Sequence, residues 1–359
     1  LHATHRRRRR FYEIATICAL IVVPLGCEST SGRSTSTAPA QSVVIYCSVD
    51  RMFAEPLLDA FSKETGIDVS ARYDTEAGKT TGLVNKLLAE KSQPRADVWW
   101  SSEVFGTIDL ANAGALAPYR PATATDIPDM FVDPEGRWTA FGLRGRVIAF
   151  DPKRTKREDA PPTWLSLSDA RYHGRVAMAD PRFGTTRGHF ACMLSAWGED
   201  VFDMYLRLIK SNAFIRADGN SHATLLLAQG RVDFAATDTD DVVVARARGD
   251  SIEAIYPDMT VPNGDDRLHG TLWIPCSVGL VRGARNEAAA RRLIDYIASA
   301  KMEEALYSSE SRNIPVRTAL RTRLGVTDIR AAEVDYAKAA AAMKQSGEMI
   351  DDVDPFRKE

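Results

Sequence analysis

From Val43 onward, apolar and polar positions switch between two periods. Val43-Val-Ile-Tyr-Cys47 is a short β-branched run and predicts a buried strand. Residues 51–65 place Phe53, Leu57, Leu58 and Phe61 at helical spacing, and Gly66 marks the stop. Ile67 to Tyr73 alternates as a strand does. Residues 79–91 carry Leu83, Val84, Leu87 and Leu88 on one face, a second amphipathic helix. Ala96-Asp-Val-Trp-Trp100 predicts a third strand, and 103–113 a helix ending at Gly114. The order β-α-β-α-β-α implies a mostly parallel sheet with helices on both faces.

The pattern then changes. Trp138 to Phe150 reads as two strand pieces with Gly142 and Gly145 between them. Strands are expected over 176–179, 232–236 and 273–281. Helices are expected over 164–171, 188–197, 200–212, 221–230, 240–249, 286–299 and 301–308. An alanine-rich tail helix is expected over about 328–347. No segment repeats at a period of about 20–50 residues, which excludes a solenoid.

The first residues follow neither period. Five arginines, Arg6 to Arg10, precede an apolar run from Phe11 to Leu25, and Gly26-Cys27 follows. A basic start, a short apolar core and a small residue describe a signal peptide over 1–26. The run is shorter than the ~20 residues a membrane-spanning helix needs. Leu25-Gly26-Cys27 resembles a lipoprotein signal, which makes Cys27 the lipidated residue and 27–42, rich in Ser, Thr, Ala and Pro, a flexible tether. The expected location is therefore outside the cytoplasm, lipid-anchored on the outer side of the cytoplasmic membrane or in the periplasm. Cys47, Cys192 and Cys276 have no C-x-x-C spacing and read as buried small hydrophobes.

Composition narrows the function. At 359 residues, with 45 % apolar and 26 % charged, the chain can bury a large core and is not mostly disordered. Beyond residue 26 it holds 41 basic against 47 acidic residues. A mildly acidic body argues against nucleic acid as a partner, because phosphate contacts need a basic face.

Several pieces stand in a fixed order: Val44-Ile-Tyr-Cys-Ser-Val-Asp50, Phe61-Ser-Lys-Glu-Thr-Gly-Ile67, Pro94-Arg-Ala-Asp-Val-Trp-Trp-Ser-Ser-Glu103 and Leu110-Ala-Asn-Ala-Gly-Ala-Leu116. Gly142-Leu-Arg-Gly-Arg-Val-Ile148, Gly230-Arg-Val-Asp-Phe234 and Ala290-Arg-Arg-Leu-Ile-Asp-Tyr-Ile297 follow. This succession, over about 43–316, resembles the extracellular solute-binding proteins of ABC importers, in the branch of the ferric-ion-binding proteins. The resemblance implies an α/β two-lobe periplasmic-binding-protein fold, each lobe a mostly parallel sheet flanked by helices, with crossing hinge strands near 142–150 and 272–281. Lobe one would be 43–145 plus 277–315. Lobe two would be 146–276 plus 316–359, with the tail helix packed on it. It implies a monomer that is not an enzyme, with an ABC permease and ATPase as partners.

Ferric relatives use a His and a Glu from one lobe and two adjacent tyrosines from the other. In this chain Glu103 falls at the Glu position, Asp50 at the His position, and Asp240 and Asp241 at the tyrosine positions. These four are the candidate metal ligands, with Asp238 close by. Crowded carboxylates repel one another and suit a cation, such as Fe³⁺, Ca²⁺, Mg²⁺ or Mn²⁺. An organic ammonium would also serve, with Trp100 or Tyr46 as a cation–π wall. The bland alternative is that Asp240 and Asp241 only cap the helix that follows.

A second region suits an anion. In Pro181-Arg-Phe-Gly-Thr-Thr-Arg-Gly188, the residues Gly184, Thr185 and Thr186 precede an expected helix, and amides at such a start bind anions. The family holds a synergistic carbonate or phosphate, or a substrate phosphoryl group, in this region. Arg144 or Arg146 could add a contact, and Asn220 a weaker one. The expected solute is a metal ion of the iron type with such an anion. The alternative is a phosphonate or phosphate-bearing amine, or a polyamine. Tyr73-Asp-Thr-Glu76 borders the cleft or starts a helix. Gly78-Lys-Thr80 lacks the glycine a nucleotide loop needs five residues earlier. A metal-dependent hydrolase needs a positioned base, and no histidine motif supplies one.

Overall fold

The computed structural model describes residues 41–74, 80–261, 264–326 and 330–356. The signal-like segment 1–26, Cys27, the tether up to residue 40 and Glu76 lie outside the described residues. In chain order the elements are β1 (Ser42–Cys47), α1 (Arg51–Thr65), β2 (Asp68–Tyr73), α2 (Thr81–Ala89), β3 (Val98–Ser101), α3 (Phe105–Asn112), β4 (Leu116–Ala117) and β5 (Thr139–Phe150). Next come α4 (Trp164–Leu167), β6 (Val176–Ala179), α5 (Gly184–Trp197), α6 (Glu199–Ser211), β7 (Ile215–Ala217), α7 (Asn220–Ala228), β8 (Phe234–Asp238), α8 (Thr239–Ala247) and β9 (Glu253–Ile255). The chain continues through β10 (Trp273–Val281), α9 (Glu287–Ile297), α10 (Ala300–Ser308), α11 (Thr318–Arg323) and α12 (Tyr336–Val353). Among the described residues no helix is long and apolar enough to cross a membrane.

The strand order β2-β1-β3-β10-β5-β8-β6-β7 joins two parallel groups through two antiparallel strands. β1 is parallel to β2 and β3, and β6 is parallel to β7 and β8. In the first group Val43, Ile45, Cys47, Val98 and Trp100 pack with Phe53, Leu58 and Phe61 of α1 and Leu293, Ile294 and Ile297 of α9. Tyr46 and Trp99 point the other way, to Leu83, Val84 and Leu87 of α2. Burial on both faces explains the near-continuous apolar runs. The second group repeats this, with Val147, Ala149, Ala177 and Ala235 against α7 and α8. Its other face carries Ile148, Phe150, Val176, Met178 and Phe234, in one core with Phe190 of α5 and Phe202 of α6.

β5 is one unbroken strand, not two pieces. It pairs with β10 through Gly145 and with β8 from Arg146, so it crosses between the groups. The β5–β10 register slips between Pro275 and Cys276, which face Leu143 and Phe141, leaving Gly142 out of the ladder. Gly142 sits at φ +57°, where a side chain is strained. Its amide donates instead to Glu303 Oε1 of α10, at 3.0 Å. Glu303 also accepts from Val316 N and Arg317 Nη1, at 2.7 and 2.9 Å. Both Glu303 and Arg317 are fully buried.

The helix expected over 164–171 ends at Leu167, and α11 was not expected; two further differences bear on the site and the tail. α5 starts at Gly184, four residues early, which moves Thr185 and Thr186 from a loop into the first helical turn. The tail helix runs over Tyr336–Val353, with Gly347 inside it. Met343, Ile350 and Val353 are buried, so packing on α5 and α6 overrides the glycine stop. α12 also touches α3, so it is not confined to the lobe-two helices.

Candidate functional site

A cavity of ≈ 40 Å³ lies beyond the carboxyl ends of β6, β7 and β8. This is where an open parallel sheet places its ligands. Space of that size holds a few water-sized atoms. Asp50 and Ser102 line it from the first strand group, and Gly184, Thr185, Thr186, Asn220, Asp238, Asp240 and Asp241 from the second. Arg144 of the crossing strand β5 completes it. Nine of the ten expected site residues therefore share one cavity. A larger space of ≈ 320 Å³ adjoins it, also lined by Asp50, Asp240 and Asp241, with Met52, Phe53 and Val244.

Glu103 is the exception. Its carboxylate turns inward and accepts Phe105 N at 2.5 Å and Gly106 N at 3.0 Å, in the first turn of α3. The expectation that it joins the acids is thus corrected: the side chain meets the bare amides at that helix start. Burial raises its pKa to about 7, opposed by the Gly106 amide, Arg187 and the Phe105 amide, with Asp109 adding to the rise. A carboxyl raised above its unfolded value takes up protons on folding. Its contribution is full below about pH 4.5 and is lost as pH rises through about 7. Glu103→Gln is expected to remove a loss of up to about 3 kcal/mol over that window. Denaturant unfolding across pH tests this, and an unchanged slope in the variant would refute it.

The acids do not stand as a bare cluster, which corrects a second expectation. Arg144 Nη1 lies 3.1 Å from Asp240 Oδ2, and Arg146 Nη1 lies 2.6 Å from Asp238 Oδ1. All four residues are at most 3 % exposed. A buried charge is tolerable when paired, and here the chain supplies its own cations. Neither arginine is thus reserved for a solute anion. Arg146 also reaches His189 Nδ1 at 3.4 Å. Burial and then the Arg146 charge hold His189 well below its ordinary pKa, as a neutral ring stacked edge-on to Trp164.

Asp241 Oδ2 accepts from Thr237 Oγ1 at 3.0 Å. One ligand oxygen each from Asp238, Asp240 and Asp241 lies within 4.8 Å of the others. Trp100 and Tyr46 give no cation–π wall here. Trp100 is core-packed against Phe141, and Tyr46 donates to Glu90. Asp74 accepts Leu83 N at the start of α2, the bland reading of that segment. Cys192 and Cys276 are buried thiols, as is Cys47, and no disulfide forms among the described residues.

Asp180 and Asp218 also line the cavity and were not foreseen. Asp180 directly follows β6 and pairs with Arg182 and Arg216. Asp218 follows β7, whose three residues are too few to show a period. The usable signal was position alone, an acid directly after a strand.

The family described as bacterial extracellular solute-binding protein matches residues 43–309. An Fe(3+)-binding periplasmic protein of Serratia marcescens is 26 % identical over 61 % of each chain. A periplasmic protein of Salmonella typhimurium, provisionally assigned to 2-aminoethylphosphonate binding, is 25 % identical over 85 % of each chain. The ferric binding protein from Campylobacter jejuni superposes with a TM-score of 0.76 at 19 % identity, covering 87 % of this chain and 99 % of that one.

Proposed function

Since the chain belongs to the bacterial extracellular solute-binding proteins, we propose that it captures a small cationic solute for the permease and ATPase of an ABC importer, foremost a hard metal ion of the iron type. The family is one of transport components, not enzymes. The observation that carries the reading is the charge of the cavity wall: six carboxylates against one guanidinium. Asp50 and Asp241 line both this cavity and the larger space beside it, one from each strand group, and are the acids expected to meet the solute. Oxygen-only ligands suit a hard ion. The iron-binding Serratia relative supports this choice.

Capture would close one lobe, 43–145 plus 277–315, on the other, 146–276 plus 316–359. The change of partner along β5 between Gly145 and Arg146 supports that boundary. Such closure biases an existing open–closed equilibrium, and the closed form is the one a permease reads. Export with lipidation at Cys27 would hold the protein near its permease.

A second reading is an amine that bears a phosphonate or phosphate. The ≈ 320 Å³ space beside the acids has room for an organic body, and the first-turn residues of α5 and α7 line the smaller cavity. Thermal unfolding of the chelator-stripped protein with ferric citrate, Ca²⁺, Mn²⁺, spermidine and 2-aminoethylphosphonate separates the two. A ligand at about 1,000 times its Kd adds roughly 4 kcal/mol. A shift with a metal alone supports the first reading. A shift only with the phosphonate installs the second, and no shift with any member of the panel overturns both. With Asp240 and Asp241 in the tyrosine positions, a ferric complex is expected to lack a strong visible tyrosinate band. A deep red protein would remove these two from the ligand set.

A further inference from the structure

We propose that Asp238 is a built-in anion, filling the side-chain seat between the starts of α5 and α7, so that solute capture needs no separate anion there. The last clause rests on the cationic-solute reading; the seat itself does not. Asp238 Oδ1 accepts Arg146 Nη1 at 2.6 Å. Oδ2 accepts Thr185 Oγ1 at 2.6 Å and Asn220 Nδ2 at 2.9 Å. Arg146, Thr185 and Asn220 are the side-chain donors that an incoming carbonate or phosphate would use, and all three already serve this carboxylate. Short, charge-assisted bonds of this kind are the strong ones.

The placement is not that of an ordinary helix cap. Asp238 occupies the N-cap position of α8, yet its side chain makes no cap hydrogen bond. It is instead paired directly opposite Arg146 in the β5–β8 ladder. Residues opposite each other in a ladder project to the same face, so the register aims the carboxylate at the guanidinium. Arg146 is fully buried, and its Nη2 lies 3.4 Å from Thr186 Oγ1. A buried guanidinium with surrounding hydroxyl and amide donors is an anion-binding pocket in its chemistry. Here the ligand is part of the chain.

The experiment is anion rescue. Asp238→Ala empties the seat and leaves Arg146 unmatched. Its unfolding midpoint is expected to rise by several degrees with millimolar formate or phosphate at matched ionic strength. The wild type and Asp238→Asn, whose side chain still fills the space, are expected to show no such rise. If Asp238→Ala folds only when formate or phosphate is present, that dependence is the same rescue. In the wild type, bicarbonate or phosphate is expected to change the affinity for Fe³⁺, supplied as ferric citrate, by less than about twofold. Saturable phosphate binding by the wild type at this seat, shared by neither variant, would overturn the proposal. So would an Asp238→Ala protein that responds to no anion, or fails to fold with every anion. Failure to bind any cation would refute the reading of the solute and leave the rescue result standing.

Discussion

Glu303→Ala is expected to lower the folding free energy by about 3–5 kcal/mol, the cost of removing one partner from a buried ion pair. The side chain satisfies three buried donors at once: Gly142 N, Val316 N and Arg317 Nη1. Truncation leaves all three facing a void. Arg317 would keep bonds to Thr123 O and Ala298 O and a pair with the exposed Asp126. None of these places a buried negative charge beside it. The neighbouring Glu304 is the control. Its pair with Arg323 is solvent-exposed, so Glu304→Ala should cost at most about 1 kcal/mol. Denaturant unfolding of the two variants reads the difference. Equal, small losses would show that Glu303 does not hold the crossing strand. The same network explains how β5 passes through a left-handed glycine without losing that amide to the solvent-free interior.

The second large effect is on binding. Asp50→Asn combined with Asp241→Asn is expected to weaken a cationic solute by about 10²-fold or more, since each charged contact contributes about 1.5–3 kcal/mol. Folding should change less than in a variant that breaks a buried ion pair, because asparagine keeps an oxygen that can accept the Thr237 hydroxyl now held by Asp241. Asp240→Asn should give the opposite pattern. It strips Arg144 of its countercharge, so stability falls by a few kcal/mol along with binding. Titration calorimetry and unfolding on the same three proteins test the contrast. Undiminished affinity in the double variant would remove both carboxylates from the site. A stability loss there as large as in Asp240→Asn would mean that the cavity acids form one structural unit.

Much of the fold was legible. α1 was expected over 51–65 and spans Arg51–Thr65, because Phe53, Leu58 and Phe61 recur at helical spacing and Gly66 closes it at φ +72°. β1 stood out as a β-branched run, β2 by its alternation, and β3, β6 and β8 as short apolar runs, whereas β7 was too short to be seen. Asp50, Gly184 and the Thr237–Asp241 segment follow one rule, polar residues soon after strands, and the family resemblance picked out the acids among them; Asn220 was expected only as a weaker contact. That rule gives location and not direction. It found Glu103 as well, which follows β3 as Asp50 follows β1, yet turns inward to its own helix start.

The sequence by itself determined the α/β class, the order of elements, and a cleft rich in aspartate. The first two follow from local periodicity and the third from the family resemblance that short motifs carry, all of which neighbours along the chain are enough to specify. Only the tertiary structure decided the electrostatic state of that cleft. Arg146 and Asp238 are 92 residues apart and meet because β5 and β8 pair in one register. A shift of one position would send the two side chains to opposite faces. Whether a row of aspartates is an open cation site or a set of matched pairs depends on that register, and no local pattern encodes it.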